Sequence, residues 1–185
     1  MALLKIAKLG NPILRQIAKA VDLNKLVDPE SELQTFIDDM IETMHHEGGV
    51  GLAAPQVNRS VQIVVLEYTE NARYPGEISI PLTVLVNPVL SDYSKETQDG
   101  WESCLSLVDF RGLVPRSTTI TLNAYDRYGK QIQKTVSGFE AVVLQHEIDH
   151  LQGLVFLDRM KDFTKLSYQE EFDKFWVKKE DSTLS

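Results

Sequence analysis

The segment Gln145-His146-Glu147-Ile148-Asp149-His150 constrains this chain more than any other, because its chemistry is coherent only on a helix. Residues four apart share a helix face, so one helical turn brings His146 and His150 together while Glu147 leans over them. His-Glu-x-x-His is the arrangement of metal-assisted hydrolysis: two imidazole ligands and a carboxylate to take a proton from water. Ala141, Val142, Leu144, Ile148 and Leu151 predict a largely buried helix over 139–152, bounded by Gly138 and Gly153. Burial weakens the alternative of two solvated histidines on a surface helix.

The pattern elsewhere supplies the frame. Asn11-Pro12 reads as a cap and a first-turn proline opening a short helix through Ala18. Residues 28–47 form the strongest amphipathic helix, with Leu33, Phe36, Ile37, Met40, Ile41 and Met44 at helical spacing, Asp28 or Ser31 as cap and Gly48-Gly49 as stop. His45 and His46 close it; being adjacent, they point to different faces and read as surface residues. Strands are expected over 61–66, 84–89, 118–124 and 131–136, the last two joined by a hairpin at Tyr125–Lys130, with 68–82 as a polar excursion. A last helix over 164–179 carries Tyr168, Phe172, Phe175 and Trp176 on a stripe expected to pack into the core. Helices, then strands, then helices make the class α+β.

A length of 185 residues suits one domain, 1–185, able to bury a core without staples. The net charge of −8 argues against a nucleic-acid surface, which needs a basic face. No apolar run reaches membrane-spanning length, and Met1–Lys5 is too short and too soon charged for a signal peptide. The one cysteine, Cys104, excludes an internal disulfide and fits a reducing, cytoplasmic setting.

Two histidines leave a metal site short of a third protein ligand. Cys104, in Trp101-Glu102-Ser103-Cys104-Leu105-Ser106, is one candidate; the carboxylates of Glu170 and Glu171 are the other, and the residues themselves leave both open. The segment Gly49-Val50-Gly51-Leu52-Ala53-Ala54-Pro55-Gln56 offers a superficial dinucleotide loop, but it follows a helix and runs into Pro55. Its small residues instead let a ligand approach the backbone, with the Gln56 amide as a donor.

Residues 49–56, 102–106 and 145–150, in that order, together resemble the three motifs of the peptide deformylase family. The likeness extends to Leu9–Arg15, Arg111–Arg116 and His150–Gly153, and covers roughly Ile6 to Asp158. It implies mainly antiparallel sheets packed around a central metal-binding helix, with a C-terminal helix. It also implies removal of the formyl group from the N-terminal formylmethionine of new polypeptides, releasing formate. Cys104, His146 and His150 would hold one divalent ion, Fe2+ by family resemblance, with Zn2+, Ni2+ or Co2+ as alternatives. Glu147 would act as general base and then acid, and Gln56 with the Leu105 N–H would steady the oxyanion. The peptide would lie extended beside Val50 and Gly51, its methionine in a pocket of Val50, Leu105, Phe139, Val142 and Val143, with Arg111 near the cleft. Glu102 is expected to pair with Arg116 and brace the Cys104 loop. The substrate implies transient proximity to the ribosome, but Lys174, Lys178 and Lys179 are diluted by Glu180 and Asp181 and make no docking face. Nothing in the sequence demands more than a monomer.

Two departures stand out. Ser103 replaces a glycine usual in the family, and Val108 replaces a proline. If position 103 needs a positive φ, serine strains it, and the chain becomes a binding module without turnover. The other rival is a peptidase recruiting Glu170 or Glu171 as its third ligand.

Overall fold

Chain direction at the start is set by a cap and a competing contact. In the computed structural model, which describes residues 2–28, 30–69 and 78–177, the Asn11 side chain accepts from the Ile13 N–H and Pro12 begins a 3-10 turn, Pro12–Arg15. The expected helix through Ala18 stops there. Gln16 is extended, and the Ala18 N–H is taken by the Leu151 carbonyl, so a tertiary bond replaces the next helical turn. A one-turn helix, α1 (Leu23–Leu26), follows, capped by Asp22. Helix α2 (Glu32–His46) starts at the Ser31 cap; Asp28 instead binds the Glu30 N–H, which shortens the expected span at its beginning. Its Leu33, Phe36, Ile37, Met40 and Met44 are buried, as their spacing requires.

Among the described residues, five antiparallel strands form the larger sheet, and three form a smaller one. In chain order they are β1 (Gly51–Ala53), β2 (Ile63–Tyr68), β3 (Ile80–Ser91), β4 (Thr97–Glu102), β5 (Phe110–Ser117), β6 (Thr119–Tyr125), β7 (Gln131–Ser137) and β8 (Leu166–Tyr168). The large sheet runs β1-β2-β3-β6-β7 and the small one β4-β5-β8. Helix α3 (Gly138–Leu151) follows the β6–β7 hairpin, and α4 (Gln169–Phe175) is the last described element.

The Ile63-Val64-Val65-Leu66 run explains the layering. Alternate side chains face opposite sides, so Ile63 and Val65 join the cluster of α2, while Val64 and Leu66 join Leu144 and Ile148 of α3. The sheet therefore lies between two helices, and the class is α+β as expected. Helix α3 is buried from Val143 to Leu151 and touches strands of both sheets. A third cluster, with Cys104, Leu107, Val114, Phe156 and Met160, fills the space behind the small sheet.

Further expectations need correction. The 49–56 segment is not all loop: Gly51–Ala53 is an edge strand paired with β2, followed by a 3-10 turn, Ala54–Val57, which also removes the dinucleotide-loop reading. The 68–82 excursion is narrower, because Tyr68 pairs with Ile80 inside the β2–β3 ladder; residues 70–77 lie outside the described ones. The last helix spans only Gln169–Phe175, since β5 draws Leu166–Tyr168 into a strand, and Lys178 and Lys179 lie outside the described residues. Its aromatic stripe is not core. Tyr168, Phe175 and Trp176 are 58%, 65% and 42% exposed, because α4 packs on the outer face of the small sheet.

Candidate active site

Strand β4 and helix α3 meet at one point. Glu102 ends β4, and the chain then turns so that Cys104 caps the 3-10 turn Leu105–Leu107, with its sulfur accepting from the Ser106 N–H. From α3, His146 and His150 project toward that sulfur, their rings edge to face at 5.1 Å. One donor atom from each of Cys104, His146 and His150 lies within 4.8 Å of the others, and all three residues are buried. The Cys104 Sγ and His150 Nε2 are 3.3 Å apart. A tetrahedral ion with bonds near 2.0–2.3 Å needs its S and N donors roughly 3.3–3.6 Å apart, a spacing that the Cys104–His150 pair already has, with His146 within 4.8 Å of both. A thiolate with two imidazoles suits a borderline-soft ion rather than magnesium or calcium.

The surrounding charges favour that donor set. Burial pushes the Cys104 thiol up, but the imidazoles of His150 and His146 outweigh it and hold the thiol well below its ordinary value. Burial alone would lower His146; bonds to Cys104 and Glu102 instead raise it well above the usual imidazole value. Glu102 takes the His146 Nδ1 at 2.7 Å, which leaves Nε2 for the shared point. Burial raises the Glu102 carboxyl, yet hydrogen bonds from His146 and Arg116 carry it down to about 2. The Glu102–Arg116 pair expected from sequence is present and bidentate, at 2.7 and 3.0 Å. Arg116 also donates to Asp149 at 2.6 Å, and Asp149 accepts from Arg159 at 2.6 Å. Sequence reasoning missed this extension. A buried aspartate inside the metal helix, between Glu147 and His150, was its available signal.

Glu147 is buried beside the three donors, and burial raises its carboxyl above the usual value. Its Oε2 has no hydrogen-bond partner among the described residues. Gly51 makes room for it: a Cβ there would stand 2.5 Å from Glu147 Oε1. Gln56 is held by the Ala53 N–H on its oxygen at 2.8 Å, which aims its amide at Cys104 Sγ and Ser106 Oγ, both at 3.4 Å. The Leu105 N–H opens the 3-10 turn, a position that has no partner within a helix. An N-terminal strap braces both turns: the Ala7 N–H bonds to the Gln56 carbonyl, and the Leu9 N–H to that of Ser106.

An open cavity with about 610 Å³ of empty space adjoins these groups. Val50, Gly51, Leu105, Phe139, Val142 and Val143 all line it, as do Gln56, Cys104, His146 and Glu147. Arg111 is not in its wall; its guanidinium lies 5.9 Å from the Phe172 ring centre. Trp101, which sequence reasoning gave no role, is in the wall. Glu170 and Glu171 are exposed on α4 and do not join the donor group, which corrects the rival ligand set. His45 pairs with Glu67 at 2.5 Å on the surface, as its position suggested. Ser103 is not among the residues with positive φ, so serine carries no left-handed strain there.

An α+β fold that gathers a thiolate and two imidazoles beside a buried carboxylate defines a metal-dependent hydrolase. The family model for polypeptide deformylase matches residues 3–166. Peptide deformylase 1 of Bordetella pertussis is 46% identical over 165 residues, covering 89% of this chain and 92% of that protein. The peptide deformylase of Leptospira biflexa is 40% identical over 179 residues, covering 94% and 96%. Among solved structures, a Met-Ala-Ser-bound class I type b peptide deformylase from Acinetobacter baumannii superposes with a TM-score of 0.82 at 36% identity, covering 86% of this chain and 99% of that one. The Thermotoga maritima peptide deformylase gives 0.74 at 32% identity, covering 88% and 100%. The chain belongs to the polypeptide deformylase family, metal-dependent hydrolases that remove the N-formyl group from nascent polypeptides.

Proposed function

We propose that Glu147, Gln56 and the Leu105 N–H carry deformylation in this chain, on an ion held by Cys104 from the turn after β4 and by His146 and His150 of a central metal-binding helix. The observation that carries this reading is Glu147: a buried carboxyl with an unpartnered oxygen, beside the donor group and at the cavity wall. Such an ion, Fe2+ in the cell or Zn2+, Ni2+ or Co2+ in its place, would supply Lewis acidity for the attacking water and the formyl carbonyl. Glu147 accepts the proton of the attacking water and delivers it to the departing amine as the C–N bond breaks, leaving formate. Its raised affinity for a proton, caused by burial, suits both halves of that exchange. Gln56 and the Leu105 N–H donate to the oxygen on which negative charge develops.

Strand β1 lies at the edge of the large sheet, so an extended peptide can add beside Val50 and Gly51. The methionine side chain then enters between Val50, Leu105, Phe139, Val142 and Val143. Apolar walls discriminate modestly, so preference for methionine is a matter of degree. Arg111 acts further out, on the peptide beyond the cavity. The chain works as one catalytic domain over 1–185, as a cytoplasmic monomer that meets the ribosome only through its substrate. Its single cysteine, committed to the ion, suits a reducing compartment.

Formate release from formyl-Met-Ala-Ser by protein loaded anaerobically with Fe2+ or Ni2+ tests this, with Glu147→Ala alongside. Turnover that falls at least about 100-fold in the variant, with the metal retained, is expected. Silence from metal-loaded wild type would overturn it.

A further inference from the structure

The cavity continues onto the protein surface as a ledge of aromatic side chains that no catalytic role uses. Trp101 lines the cavity, and its ring also meets Phe172 at 4.8 Å and Trp176 at 5.2 Å between centroids. Helix α4, which presents Phe172 and leads into Trp176, buries none of its seven residues. A helix that short does not persist on propensity, so its aromatic contacts with the small sheet hold it in place. Cations frame the ledge: the Lys165 ammonium lies 4.4 Å from the Trp176 ring centre, and Arg111 reaches toward Phe172. Indole and phenyl faces continuous with a substrate cavity, in a chain that elsewhere carries an excess of acid, form a distinct chemical environment.

We propose that Trp101, Phe172 and Trp176 form a subsite for the peptide substrate beyond its methionine, taking a large apolar or aromatic side chain. This rests on the deformylase reading above. An extended peptide advances about 3.3 Å per residue, so with methionine in the cavity the next two residues pass roughly 3–7 Å out. The Trp101 indole bridges that interval, from cavity wall to ledge. Arg111 and Lys165 at the margin repel a basic side chain and leave an aromatic one free to stack.

The test compares formyl-Met-Ala-Ser, formyl-Met-Phe-Ser and formyl-Met-Ala-Phe with metal-loaded wild type, Trp176→Ala and Trp176→Phe. In wild type one phenylalanine peptide is expected to exceed formyl-Met-Ala-Ser in kcat/KM by about three- to tenfold, through KM rather than kcat. That ratio falls toward one in Trp176→Ala and returns in Trp176→Phe, which keeps a ring face. Equal ratios in wild type, or a preference that survives Trp176→Ala, overturn the subsite alone. Formate from none of the three peptides overturns the deformylase reading with it. Should Trp176→Ala fail to fold, wild-type fluorescence reads the same contact, because both tryptophans of the chain stand on the ledge. Product Met-Ala-Phe or Met-Phe-Ser then binds tighter than Met-Ala-Ser by the same factor, and equal affinities overturn the subsite.

Discussion

Replacing Arg116 by methionine removes one guanidinium that serves two buried carboxylates. Arg116 donates to Glu102 at 2.7 and 3.0 Å and to Asp149 at 2.6 Å, and all three side chains are buried. Methionine fills much of the same volume, so the effect reports the charge rather than a cavity. Breaking a buried ion pair by deleting one partner costs about 3–5 kcal/mol, because a charge stays desolvated. Here each carboxylate keeps another partner, Glu102 through His146 and Asp149 through Arg159, so the lower end, about 3 kcal/mol, is expected. For a chain of this length that lowers Tm by about 6–12 °C. Glu102 also orients the His146 ring, so Ni2+ affinity falls by about 10- to 100-fold. Urea unfolding and a metal-competition titration read the two effects separately. Adding Glu102→Gln and Asp149→Asn to Arg116→Met recovers part of the stability, since it removes the stranded charges. A loss below about 1 kcal/mol with unchanged metal affinity would refute the reasoning, by showing that the carboxylates do not depend on the arginine.

Gly51→Ala places a Cβ 2.5 Å from Glu147 Oε1, so the carboxylate must move; kcat is expected to fall at least about tenfold while metal content is kept, measured by formate release against metal analysis. Cys104→Ala leaves two imidazoles, and stoichiometric Ni2+ binding by metal analysis after gel filtration should be lost; full retention would point to another third ligand. Because Glu102 sits at about 2 when folded against about 4.5 unfolded, its contribution is complete above pH 4.5 and is lost as pH falls through 2. Wild type should therefore lead Glu102→Gln by about 3 kcal/mol at pH 7, with the lead shrinking between pH 4.5 and 2, in paired urea titrations.

Local order was legible from residues alone. The His146–His150 spacing required a helix, Ser31 and the Leu33–Met44 periodicity placed α2, a continuous apolar run placed β2, and alternation placed β6 and β7. Strands β4 and β5 were not legible, because Asp99, Gly100 and Arg111 break the apolar pattern in a sheet with one exposed face. Nor was the fate of Leu166–Tyr168, which reads as helix and becomes a strand through pairing with β5.

The site divides the same way. Helical spacing places His146, Glu147 and His150 together by itself, because the distances within one turn are set by the backbone. The residues alone left Cys104 and the Glu170–Glu171 pair as rival third ligands and the family resemblance favoured Cys104; the tertiary structure puts its sulfur beside the two imidazoles by ending β4 against α3 and leaves α4 on the outside. The same is true of the Gly51 clearance for Glu147, the Arg116–Asp149–Arg159 extension and the aromatic ledge. Each is a contact between segments distant in the chain, which no local periodicity encodes and which only the packing of sheets on helices brings together.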